Sequence, residues 1–155
     1  MVSVGVLLAT VSVAAAPGGG AWLDDYGVAL RQAEMEGRPL LVVLENPAEA
    51  KAAAHLASLS HDPQASQRLE SYKLCRIDVR TDYGQRVAQA FKAASFPHTV
   101  VIDNTASVKL FKTSGQMSPS EWQSVLARYE SGERRSGYTI TSVGTARWGT
   151  ADCVT

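Results

Sequence analysis

The sequence predicts an α/β domain of three layers, with a central mixed four-stranded sheet flanked by helices. Three observations predict it. Leu40 to Leu44 form an unbroken apolar run bounded by Pro39 and by Asn46-Pro47, the pattern of a strand buried on both faces. That run passes directly into helix-start chemistry: Asn46 as N-cap, Pro47 at the first helical position and Glu49 three residues after the cap. Downstream, an alternating strand at Lys73–Val79 is followed by a strongly periodic helix and then by strands at His98–Asp103 and Ser107–Lys112, joined by a turn at Asn104–Ala106.

Each element follows from a local signal. Trp22 to Glu36 reads as a first helix, with Tyr26, Ala29, Leu30 and Ala33 on one face, Asp24 or Asp25 as cap, and Gly37 with Pro39 as stop. After the strand over Leu40–Leu44, a helix is expected over Pro47–Leu59, with Ala52, Leu56 and Leu59 on its apolar stripe. Asp62-Pro63 opens a short helix whose apolar residues are Leu69 and Tyr72. In the strand over Lys73–Val79, Cys75, Ile77 and Val79 share one face and Leu74 lies on the other. Asp82 with Gln85 makes a capping box for a helix carrying Tyr83, Val87, Ala90, Phe91 and Ala94, which Ser95-Phe96-Pro97 breaks. Ser118, Pro119 and Glu121 start the last helix, striped by Trp122, Val125, Leu126 and Tyr129.

The chain of 155 residues suits one ordinary domain, and its 15 basic and 15 acidic side chains balance. That balance gives no support to a nucleic-acid partner. Residues 1–16 carry no charge, are rich in Val, Leu and Ala, and end in Ala14-Ala15-Ala16 before Pro17-Gly18-Gly19-Gly20. The pattern matches the apolar core and small-residue cleavage site of a secretory signal, and it is too short for a stable membrane span. The expected organisation is a signal peptide over 1–16, a linker over 17–21, a domain over 22–130, and a polar tail over 131–155 in which Thr139–Val143 has the composition of a short edge strand. The expected location is outside the cytoplasm, periplasmic or secreted.

The order of elements, with Trp22, Glu36-Gly37-Arg38-Pro39-Leu40-Leu41-Val42-Val43, Ile77-Asp78-Val79 and Ser95-Phe96-Pro97-His98-Thr99-Val100-Val101-Ile102-Asp103, resembles the thioredoxin-like family over roughly Trp22 to Tyr129. The resemblance implies a thioredoxin-like fold, and a cis peptide bond before Pro97 in a loop beside the functional helix start. It also implies that the backbone before that proline, here Phe96, pairs with an extended peptide. Where the family carries Cys-x-x-Cys, this chain has positions close to Glu49 and Ala52, and no cysteine lies between Leu44 and His61. Dithiol exchange needs a thiolate at a helix N-terminus and a second thiol to resolve the mixed disulfide.

Other chemistry is sparse. Cys75 and Cys153 have neither metal nor redox spacing, although export would permit them to pair in a disulfide. His98 is placed to meet Glu49 as an acid–base couple, or to stand partly exposed and inert at a strand start. His55 and His61 fit no metal motif, and neither a metal nor another cofactor is implied. The leading reading is a redox-inactive thioredoxin-like domain acting as an exported protein-binding or folding-assistance module. Its candidate peptide-binding residues are Asn46, Glu49, Phe96, Pro97 and His98. Two alternatives stand beside it: thiol chemistry through Cys75 or Cys153, and a structural domain attached through its tail.

Overall fold

A computed structural model describes residues 21–49, 56, 59 and 62–133 of the chain. The signal-like segment, most of the helix expected over Pro47–Leu59 with His55 and His61, and the tail with Thr139–Val143 and Cys153 lie outside the described residues. The elements run α1 (Tyr26–Glu36), β1 (Leu40–Glu45), α2 (Pro63–Leu69), β2 (Lys73–Asp78), α3 (Asp82–Phe91), β3 (His98–Ile102), β4 (Lys109–Ser114) and α4 (Pro119–Tyr129). The sheet order is β2-β1-β3-β4, with β1 parallel to β2 and antiparallel to β3, and β3 antiparallel to β4. This is the thioredoxin-like α/β architecture that the sequence predicts.

Alternation along β1 divides the core. Leu40, Val42 and Leu44 join Cys75, Ile77, Val100 and Ile102 beneath α1 and α3. Leu41 and Val43 join Leu74 and Val101 beneath α2 and α4, where the helical residues Leu56 and Leu59 also pack. A strand between two helical layers has no polar face, which is why β1 reads as an unbroken apolar run. Each large apolar side chain buried there contributes about 1.5–3 kcal/mol relative to exposure.

The helix ends follow side-chain chemistry. Asp25 caps α1 through Val28 N, Asp62 caps α2 through Gln64 N and Ala65 N, and Ser118 with Glu121 closes a reciprocal capping box on α4. Arg38, from the Arg-Pro pair, donates to the carbonyls of Tyr72 (2.9 Å), Ser71 (3.4 Å) and Glu70, tying the end of α1 to the turn after α2.

Several boundaries differ from expectation. Trp22 to Asp25 are not helical, because Leu23 bridges β2 instead: its N–H donates to Leu74 O and its C=O accepts from Arg76 N. Thr81, not Asp82, caps α3 through Gly84 N. β4 begins two residues later and runs to Ser114, because the carboxylate of Asp103 accepts from Ser107 N (2.8 Å) and Val108 N (2.9 Å) and holds those residues in the hairpin turn. The helix expected from Pro47 does not begin there. Asn46 opens a turn, its side chain accepting from Ala48 N (3.1 Å) and its carbonyl from Glu49 N (3.0 Å).

Two glycines permit close approaches. A Cβ at Gly84 would stand 2.0 Å from Asp78 O, so α3 rests its first turn directly on the end of β2. Gly132, at φ 65°, donates to Tyr129 O and accepts from Asn104 N, and its Cα faces Asn104 and Pro39. Residues 131–133, after α4, therefore close on the β3–β4 hairpin.

Candidate functional site

β1 is apolar until its last residue, and that residue is Glu45. Its side chain is 1 % exposed. Strand periodicity puts it on the same face as Leu41 and Val43. The diagonal neighbour on β2, Arg76, faces the same side and reaches across to pair with Glu45 Oε1, keeping 40 % of its own side chain in solvent. The second carboxylate oxygen, Oε2, is buried with no hydrogen-bond partner among the described residues. Glu45 helps line a cavity of about 10 Å³, shared with Pro97, Thr99, Gly115, Met117 and Trp122. That is about the space of one water. An unpaired buried carboxylate oxygen is costly, so this end of the sheet is its least satisfied part.

The loop over this cavity is Ser95–Pro97. Lys92 turns left-handed at φ 55° and ends α3, and the chain enters β3 through a cis Phe96–Pro97 bond. Gly115 N donates to Pro97 O at 2.8 Å, locking the loop to the end of β4. Among the described residues the N–H and C=O of Phe96 make no hydrogen bond, and Phe96 and Pro97 are half-buried. The end of β1, the Asn46 turn and the Phe96–Pro97 loop thus lie together at one edge of the sheet.

The predicted residues fall in three environments. Asn46, Phe96 and Pro97 are half-buried at this edge, and Glu49 is exposed beyond the turn. His98 is 4 % exposed. It pairs with Leu44 in register and faces α1 and α3, the side of the sheet opposite Glu45, where Nδ1 and Ser114 Oγ share a 2.7 Å hydrogen bond and Nε2 has no partner among the described residues. No hydrogen bond or ion pair joins His98 to Glu49 among the described residues. Burial, then Lys112 and Lys109, hold the imidazole below its ordinary range. Cys75 is buried beneath α1 and carries no disulfide among the described residues. Burial first, then the carboxylates of Asp25 and Asp24, push its thiol up to about 12, so the nucleophilic thiolate is strongly disfavoured. Among the described residues no cluster of three or more His, Cys, Asp or Glu is arranged to hold a metal, and no helix is long and apolar enough to cross a membrane.

Sequence reasoning missed Glu45, Arg76 and Thr99. The available signal was an acidic residue continuing an apolar strand without a break, with a basic residue on the matching face of the next strand.

No protein-family model and no curated protein matches the chain. Solved structures do match. A thioredoxin from Thermus thermophilus superposes with a TM-score of 0.61 at 21 % identity, over 71 % of this chain and 86 % of that one. DsbH oxidoreductase matches with a TM-score of 0.56 at 16 % identity, over 85 % and 96 %. The C-terminal domain of Neisseria meningitidis DsbD in its oxidised form matches with a TM-score of 0.54 at 14 % identity, over 70 % and 98 %. At these identities the likeness is one of fold.

Proposed function

We propose that this chain, which carries the thioredoxin-like fold, is a redox-inactive, exported module that docks an extended segment of a partner protein at the edge formed by the Asn46 turn and the Phe96–Pro97 loop. The observation that carries the reading is the backbone of Phe96: an N–H and a C=O with no partner among the described residues, on a half-buried loop locked by Gly115. Backbone groups of this kind are satisfied by adding a strand-like peptide, which gives affinity with little demand on its sequence. Asn46, Phe96 and Pro97 supply the surface around it, and Glu49 adds a carboxylate at its rim.

The redox-inactive reading rests on the thiols. The sequence has two cysteines, Cys75 and Cys153, and neither lies between Leu44 and His61. Cys75 is sealed under α1 with a raised pKa, which argues against the alternative of single-thiol chemistry at that residue. Export rests on residues 1–16, an uncharged apolar stretch ending in three alanines.

The test is amide chemical-shift mapping of the protein titrated with a reduced, alkylated and permanently unfolded protein. Saturable shifts centred on Asn46–Glu49 and Ser95–His98 are expected. Absence of binding, or shifts confined to another face, overturns the docking reading. Dithiothreitol-coupled reduction of a disulfide protein tests the redox part: catalysis by wild type that disappears in the Cys75→Ser, Cys153→Ser variant refutes it.

A further inference from the structure

On the α1/α3 side of the sheet lies a groove of about 260 Å³ that shares no residue with the Phe96–Pro97 edge. Its floor is aromatic. The rings of Tyr26 and Phe91 meet edge to face, with centroids 5.2 Å apart and planes at 83°. Tyr83 stands beside them, its hydroxyl accepting the Tyr26 N–H at 2.8 Å, which fixes the start of α1 against α3. Val87 closes the base.

Two exposed cations stand at the rim, Arg86 on α3 and Lys109 on β4. The Lys109 ammonium lies 4.7 Å from the centroid of the Phe91 ring. Among the described residues neither cation makes an ion pair, whereas Arg38, Arg68, Lys73, Arg76 and Arg80 all do. The neighbouring carboxylate of Asp25 is engaged in capping α1.

We propose that this groove docks an acidic segment of a partner protein, which inserts one aromatic side chain between carboxylates that meet Arg86 and Lys109. The volume selects the class of occupant: it falls below the roughly 300–1,000 Å³ of pockets that enclose whole small molecules, and suits one side chain. The floor selects an aromatic one, because the Tyr26–Phe91 pair offers further edge-to-face contacts and Lys109 is already poised over a ring face. The rim selects the flanks: a guanidinium and an ammonium that make no ion pair among the described residues favour carboxylates, which speed encounter and fix register.

The probe is a capped pentapeptide with one phenylalanine between two pairs of aspartates, titrated into the isotopically labelled full chain at low salt. Saturable amide shifts are expected at Tyr26, over Tyr83–Phe91 and at Lys109, fading as salt screens the rim. Arg86→Glu and Lys109→Glu should each weaken binding about tenfold or more, since each turns an attraction into a repulsion. Ala90→Trp, which fills the groove from its exposed rim, should abolish binding. Both charged positions are exposed, so unchanged thermal melting identifies folded variants, and Arg86→Gln or Lys109→Gln replaces whichever charge reversal melts early. The proposal is overturned if no shifts occur, if they fall elsewhere, if a peptide with alanine for phenylalanine binds equally, or if the charge-reversed variants bind undiminished.

Discussion

Replacing Arg76 with Met should destabilise the protein far more than replacing Glu45 with Met. The two partners are buried unequally: the Glu45 side chain is 1 % exposed and that of Arg76 is 40 % exposed. Removing Glu45 leaves a guanidinium that water already reaches, and it also removes the unpartnered Oε2. Removing Arg76 strands a carboxylate with both oxygens unpaired in a cavity of about 10 Å³. Breaking a fully buried pair costs about 3–5 kcal/mol, and an exposed pair contributes about 0–1 kcal/mol. With one member buried, about 3 kcal/mol is expected for Arg76→Met, and a change within about 1 kcal/mol for Glu45→Met. The double variant should match Glu45→Met, giving a coupling energy of about 3 kcal/mol. In urea, with an m-value of about 1.5–2 kcal/mol/M, Arg76→Met should lower the midpoint by about 1.5–2 M. Equal losses for the two single variants, or a loss below about 1 kcal/mol for Arg76→Met, would refute the reasoning, because the asymmetry in burial would then have no energetic counterpart.

Three further outcomes are expected. The folded-state pKa of His98 is depressed, so its contribution to stability is fully present above its unfolded value of about 6.5 and is lost as pH falls through the folded value. Urea midpoints measured from about pH 8 down to pH 5 should fall, and His98→Asn should flatten that slope; an unchanged slope contradicts the depression. In a Cys153→Ser background, Ellman's reagent at pH 8 should leave Cys75 unmodified in the native protein and label it fully in denaturant, since its thiol is pushed up to about 12; fast native labelling contradicts its burial. Gly84→Ala should destabilise by about 1–3 kcal/mol by thermal melting, because a methyl 2.0 Å from Asp78 O forces α3 off β2 and outweighs the gain in helix propensity; a neutral result shows that the contact is looser.

The sheet and the helical layers were legible because their signals are local or periodic. Leu40–Leu44 announces a doubly covered strand, and Ser118-Pro119 with Glu121 announces a helix start. What escaped depends on residues far apart in sequence. Leu23 leaves the expected helix because β2 offers Leu74 O and Arg76 N at its edge. Glu45 is buried because Arg76, 31 residues on, reaches it. His98 is buried because a strand alternates faces, and its position falls on the α1/α3 side. At the site, Phe96 and Pro97 were legible through a break in helical periodicity. The charged pair beneath them was not, because a glutamate at a strand end looks from sequence like the strand's exit into water.

The hydrogen bond from Asn104 N to Gly132 O places the last described residues at one end of the sheet. Asn104 and Pro39 stand at the start of β1, whereas Glu45, Pro97 and Gly115 stand at its other end. Six residues of strand separate the two ends, a span of about 20 Å at roughly 3.3 Å per residue. Gly132, one residue before the last described residue, therefore lies at the end of the sheet opposite Phe96–Pro97. Under the proposed function, an attachment made near Gly132 would hold the fold by the end opposite Phe96–Pro97 and leave that docking surface facing away from the anchor. A segment returning from Gly132 along the sheet would need at least about six extended residues to reach Phe96–Pro97.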